Sequence, residues 1–243
     1  MSESSATEGD ETPKRGWGPP RGKPTTLVLV RHGVTDSTLG KLFSGGLASS
    51  NPPLNEEGLA QARATAEWLA PMADTFDALV SSPVRRTRET AEVLGRHFGL
   101  EIETEDGIAE MEFGSWDGMS FTDVHEQFPD ELSSWLGDLD AAPHGGESMR
   151  TVEKRVLAGR DRIVASHPGK TVVAVSHVTP IKTLVATALQ APLDSVFRME
   201  LSPASVTVLS FLPDVDGKAR ATMRLYNARP PGDDAFSAAA SAW

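Results

Sequence analysis

The 243-residue sequence predicts a single α/β domain, a three-layer α/β/α arrangement around a mainly parallel central sheet. Three observations predict it. Leu27–Val30 and Thr171–Val175 are short apolar runs of the kind a strand buried on both faces shows. Helical patterns alternate with such runs, as parallel strands joined by helical crossovers require. Between residues 26 and 228 there is no internal repeat and no second shift in composition.

The elements follow in chain order. Residues 1–25 are rich in Ser, Thr, Glu, Gly, Pro and Lys, with Trp17 almost alone among apolar side chains, and read as a flexible leader or linker. Leu27–Val30 is the first strand. Asn55, followed by Glu56 and Glu57, supplies a capping side chain and acids for the positive end of a helix running to Leu69. Ala78–Ser81 is a second short strand. Ser82 as N-cap and Pro83 at the first helical position then start a helix reaching His97. Met149, Val152, Val156, Ile163 and Val164 lie on one stripe of a helix from Glu147 to Ser166. Thr171–Val175 is the next buried strand, and Thr179-Pro180 opens the helix behind it. Ser205–Leu212 and Ala221–Tyr226 read as edge-ward strands, and residues 229–243 as a flexible tail.

Composition bounds the function. Thirty-four Asp+Glu against 23 Lys+Arg give a formal net charge of −11, which disfavours nucleic acid as a bulk electrostatic partner. With no cysteine, a disulfide framework, thiolate zinc ligation and a cysteine nucleophile are excluded. No apolar run approaches the ~18 residues that span a bilayer, and no signal peptide opens the chain, so a cytoplasmic location is expected. An anionic substrate must then be held by a few local cations.

Such cations converge by topology. Ligands of open α/β sheets bind beyond the carboxyl ends of the strands. The first strand ends in Arg31-His32-Gly33, the strand at 171–175 ends in Ser176-His177, and Ala78–Ser81 runs into a helix carrying Arg85 and Arg86. Arginine forks and helix N-termini near Val84 and Thr179 make a dianion pocket. A histidine kept neutral by neighbouring positive charge can attack phosphorus there. Gly33 suits a point where backbone approaches phosphate or turns sharply. His97, His125, His144 and His167 read as structural, Arg85 and Arg88 as solvated or paired, and Trp68, Trp116 and Trp135 as core or interface.

Arg31-His32-Gly33, Ser81-Ser82-Pro83-Val84-Arg85-Arg86-Thr87-Arg88-Glu89-Thr90-Ala91, Ile108-Ala109-Glu110 leading to Phe113-Gly114, and Val175-Ser176-His177 resemble, in order, the motifs of the histidine phosphatase superfamily, in its phosphoglycerate-mutase-like branch. Gly145-Gly146-Glu147-Ser148 and Ser176-His177-Val178-Thr179-Pro180-Ile181-Lys182 are similar to the acid-phosphatase half of actinobacterial ribonuclease H fusions, and related to α-ribazole phosphatases. No ribonuclease H segment lies in these residues. The resemblance implies a phosphoglycerate-mutase-like fold and a phosphomonoesterase needing no metal or cofactor, acting on a small phosphorylated metabolite. It implies His32 as nucleophile and Arg31, Arg86 and His177 as phosphoryl-holding groups. Glu110 is the implied general acid and base; Glu112 would share its face on an extended segment, and the spacing to Gly114 selects Glu110. Gly33, Ser44, Gly45 and Val178 are the implied substrate-binding positions.

Val34 after the Arg-His-Gly, Thr38 where mutases place asparagine, and Trp116-Asp117-Gly118 depart from the family pattern. With a short segment between Glu110 and His177, they count against mutase activity more than against hydrolysis. A mutase and a non-catalytic phospho-ligand module remain the alternatives. Leu42, Phe43, Phe113, Trp116, Phe121 and Phe128 hint at a partly apolar wall suited to a bulky or aromatic ester. Oligomeric state is left open.

Overall fold

The computed structural model describes residues 22–212 and 220–231. The leader expected at 1–25 and the tail expected at 229–243 therefore lie largely outside the described residues. Where they meet them, Thr25 already belongs to the first strand.

Six strands form one sheet: β1 (Thr25–Arg31), β2 (Ala78–Ser81), β3 (Ile102–Thr104), β4 (Thr171–Ser176), β5 (Val206–Leu212) and β6 (Arg220–Ala228), in the order β3-β2-β4-β1-β5-β6. β3, β2, β4 and β1 are parallel, β5 runs antiparallel to β1, and β6 antiparallel to β5. The sheet is thus mainly parallel, and β1 and β4, the two strongest apolar runs, lie side by side at its centre with Val30 opposite Val175.

Period two explains why those runs are apolar throughout. Leu27, Leu29, Val172 and Ala174 enter one core cluster, with Val152, Val156 and Ile163 of helix α6 (Met149–Ser166) and Ile181 and Leu184 of α7 (Val178–Ala188). Val28, Val30, Val173 and Val175 enter the other, with Ala62 and Ala66 of α2 (Glu56–Leu69) and Ala91 and Leu94 of α3 (Arg85–Phe98). Burying both faces gives three layers.

Helix α2 starts as its sequence predicts, with Asn55 Oδ1 accepting from Gly58 N at 2.9 Å. Helix α3 does not. Val84, in extended conformation, is its N-cap residue, so the helix begins at Arg85, beyond Ser82-Pro83. Ser82 Oγ sits 2.8 Å from His177 Nε2, and the first helical N–H, that of Arg85, is served by Asn51 Oδ1 at 2.9 Å. Helix α6 likewise starts later than Glu147, at Met149, with Ser148 capping Thr151 N, while Glu147 pairs with Arg155. Among the strands and α-helices of the described residues, β3, α1 (Asp36–Leu39), α4 (Phe121–Gln127) and α5 (Pro129–Gly137) went unpredicted.

Candidate active site

β1, β4 and β2 deliver their last residues to one end of the sheet. His32 follows β1 and His177 follows β4, and their rings meet edge-on with centroids 5.1 Å apart. Arg86, in the first turn of α3 behind β2, donates from Nε to His32 Nε2 at 3.1 Å. Its Nη2 holds the carbonyls of Ser44 and Gly45 at 3.2 and 3.0 Å, and buried Nη1 has no hydrogen-bond partner among the described residues.

The tautomer of His32 follows from its neighbour. Nδ1 lies 2.7 Å from the carbonyl oxygen of Gly33. A carbonyl only accepts, so Nδ1 carries the proton and the Nε2 lone pair faces the cleft. Burial, then Arg86 and Arg31, hold the His32 pKa well below its ordinary value of 6.5. Burial, then Arg86 and His32, do the same to His177. Both rings are neutral, and each neutral ring has one acceptor nitrogen. Burial lowers Arg31 and Arg86 to about 10, and the carboxylate of Glu110 opposes the fall in both. Both stay charged at neutral pH.

Glu110 is buried on the cleft wall, its Oε1 accepting from Met111 N at 2.8 Å. Arg155 of α6 fixes the segment that carries it. Nη1 donates to the carbonyls of Gly107 and Ala109, Nη2 donates to that of Glu110, and Nε and Nη2 also bind Glu147. Glu112 faces elsewhere: its Oε1 accepts from Ala48 N at 3.2 Å and lies against Gly46. Of the two carboxylates weighed from sequence, Glu110 alone lines the cleft.

The other expected positions divide. Arg31, Ser44 and Val178 line the cleft, and Arg31 also donates to the carbonyl of Leu201. His177 is fully buried behind His32, and its Nδ1 has no hydrogen-bond partner among the described residues. Gly45 offers its carbonyl to Arg86 and its N–H to Asp117 Oδ1. Gly33 has a different reason for being glycine than approach to a ligand. A Cβ there would stand 2.3 Å from the carbonyl oxygen of Gly58, so the segment following β1 and the first turn of α2 meet backbone to backbone.

Of the apolar wall expected from sequence, Leu42, Phe43 and Phe113 line the cleft, while Trp116 and Phe128 pack into the core around it. Trp135 and Phe197 complete that wall, their rings 5.4 Å apart. The sequence reading also missed Lys182, which is buried on the cleft wall. A signal existed: Val178 and Lys182 are four apart on α7 and share a helix face. Among the described residues, no cluster of three His, Cys, Asp or Glu side chains could hold a metal ion, and no helix is long and apolar enough to cross a membrane.

Comparison with known proteins adds a family to this geometry. Residues 27–221 match the sequence profile of the histidine phosphatase superfamily, branch 1. The bifunctional protein Rv2228c of Mycobacterium tuberculosis is 41% identical over 209 residues, 86% of this chain, which spans only 56% of that protein. Phosphoserine phosphatase 1 of Hydrogenobacter thermophilus is 31% identical over 188 residues, covering 75% of this chain and 85% of that one. A mycobacterial glucosyl-3-phosphoglycerate phosphatase, solved with VO3, superposes with a TM-score of 0.72 at 32% identity, covering 84% of this chain and 99% of that one.

Proposed function

Because the chain belongs to the histidine phosphatase superfamily, we propose that it is a phosphomonoesterase, hydrolysing a small-molecule phosphate ester through a phosphohistidine on His32 without a metal ion. One observation carries the reading. Beside His32 Nε2, which accepts from Arg86 Nε, the cleft-lining Arg86 has a second buried donor, Nη1, without a partner among the described residues. Such an orphan costs about 1–3 kcal/mol. A phosphoryl group, with three accepting oxygens, satisfies it.

In the first step Arg86 Nε turns from His32 Nε2 to a phosphoryl oxygen, freeing the lone pair. Nε2 forms the N–P bond as the P–O ester bond breaks in line, with Arg31 and Arg86 stabilising the equatorial oxygens. Glu110 gives a proton to the leaving alkoxide. In the second step water attacks phosphorus, its proton passes to Glu110, the P–N bond breaks, and orthophosphate leaves with His32 restored.

The test is release of inorganic phosphate from p-nitrophenyl phosphate and a panel of phosphomonoesters, with EDTA present. The wild type is expected to turn over, and His32→Ala to lose roughly a thousandfold or more. Turnover retained in that variant overturns the proposal. So does phosphate exchange between esters without net release, the mark of a mutase.

A further inference from the structure

Residues 44–51 form no helix or strand, yet both ends of this strap serve Arg86 and the helix that carries it. The carbonyls of Ser44 and Gly45 accept from Arg86 Nη2, and Asn51 Oδ1 accepts from the N–H of Arg85, the first residue of α3. Inside the strap, Ser49 Oγ donates to the carbonyl of Gly46 at 2.7 Å and accepts from Asn51 N at 3.1 Å. Leu47, Ala48 and Ser50 are exposed. A segment with so little buried surface keeps a fixed geometry only where something else holds it.

Asp117 holds it. Its two carboxylate oxygens take one N–H near each end of the strap, Oδ1 from Gly45 at 2.8 Å and Oδ2 from Ser50 at 3.1 Å. Glu112 Oε1 adds the N–H of Ala48 between them, at 3.2 Å. Hydrogen bonds to an ionised acceptor are roughly twice as strong as neutral ones. The carboxylate of Asp117 also stands on docked backbone, because Phe43 exchanges 2.8 Å hydrogen bonds with Gly118 and Met119 on either side of the contact. Gly45 is therefore gripped twice, its N–H by Asp117 and its carbonyl by Arg86. Asp117 itself does not line the cleft. Its charge reaches the guanidinium through space, where with Glu110 and Glu112 it opposes the fall in the Arg86 pKa.

Resting on the phosphomonoesterase reading, we infer that Asp117 is a positioning residue that acts through Arg86: by anchoring the 44–51 strap it aims the guanidinium, so that Nη1 meets the phosphoryl group. Gly45 then serves the substrate at one remove, through the arginine, rather than by contact. The role differs from that of the groups around Glu110. Arg86 acts on the phosphoryl group, which all esters share, whereas Glu110 acts on the leaving oxygen, which distinguishes them.

The experiment measures orthophosphate affinity by calorimetry, and kcat/KM on p-nitrophenyl phosphate and on glycerol 3-phosphate, for wild type and Asp117→Ala. In the variant orthophosphate should bind about tenfold more weakly. Its kcat/KM should fall about ten- to a hundredfold, by the same factor on both esters. Should Asp117→Ala fail to fold, Asp117→Asn, which keeps the volume and one accepting oxygen, carries the same expectations in weaker form. A loss concentrated on glycerol 3-phosphate overturns the inference, since Asp117 would then act through Glu110. Unchanged orthophosphate affinity overturns it as well, whatever happens to Tm, because a merely structural anchor lowers stability without altering the affinity of the folded protein. If the wild type releases phosphate from neither ester, the hydrolytic reading fails by itself. Orthophosphate affinity then decides alone: weakening of that size in the variant supports the positioning role, and equal affinity, or no binding by the wild type, removes it.

Discussion

His32 sits in a setting that decides when it can react. The proposed nucleophile is the neutral ring, and burial, then Arg86 and Arg31, keep it neutral to a pH well below 6.5. The depressed pKa moves the loss of reactivity in the acid direction, because protonation sets in only as pH falls through the lowered value. The acidic limb of kcat/KM, which reports groups of the free enzyme, should therefore lie below 6.5. A limb centred at 6.5 would mean that His32 titrates as a solvated histidine. At the same scale, the convergence of Arg31, His32, Arg86 and His177 on one sheet edge could be anticipated from where apolar strands end. Lys182 could not be recognised so directly, because a lysine on a helix face reads as solvated until the packing of α7 is known.

The loop bearing Glu110 is held by an element distant in sequence. Arg155 ties three carbonyls of that loop, those of Gly107, Ala109 and Glu110, to α6 and is itself oriented by Glu147. Arg155 touches neither cleft nor substrate, so it is a positioning residue, and its removal should mimic damage to the proton donor. Glu110→Gln is expected to slow alkyl esters, which leave poorly, tenfold or more beyond its effect on p-nitrophenyl phosphate. Arg155→Met should show the same leaving-group dependence in weaker form. Equal losses on both ester types would reduce Arg155 to a structural role.

Elements of this kind explain what the sequence conceals. β1, β2 and β4 are legible because each is buried on both faces. β3 has three residues, of which only Ile102 is apolar, and exists through its pairing with β2. α4 and α5 lie in a stretch that reads as loop, although Ser120 and Asp123 form a capping box and Pro129 opens α5. The start of α3 was misplaced because Ser82, a good cap by type, is engaged by His177, a partner 95 residues away.

At the scale of the molecule, a chain of net charge −11 concentrates positive charge at one end of one sheet. Arg31, Arg86 and Lys182 are all buried there, and burial is the largest cause of the lowered pKa of each. The ligand-free fold carries that cost, and an anion should relieve it. Orthophosphate at about a hundred times its Kd stabilises by ~2.7 kcal/mol, which for a chain of this size raises Tm by about 5–10 °C. Thermal unfolding followed by circular dichroism, with sulfate-free buffer as the reference, measures it; an unmoved Tm at millimolar phosphate would argue against an anion pocket.

The hydrogen bond from Arg86 to His32 has a further consequence. The lone pair that would attack phosphorus is already engaged by a guanidinium N–H. The resting nucleophile is thereby shielded from stray electrophiles such as acyl donors and alkylating agents, which carry no charge able to draw the guanidinium aside. A phosphate ester does carry that charge. The key that docks in the cleft is thus also what uncovers the reactive atom, and the histidine is armed only in the company of the group it is built to attack.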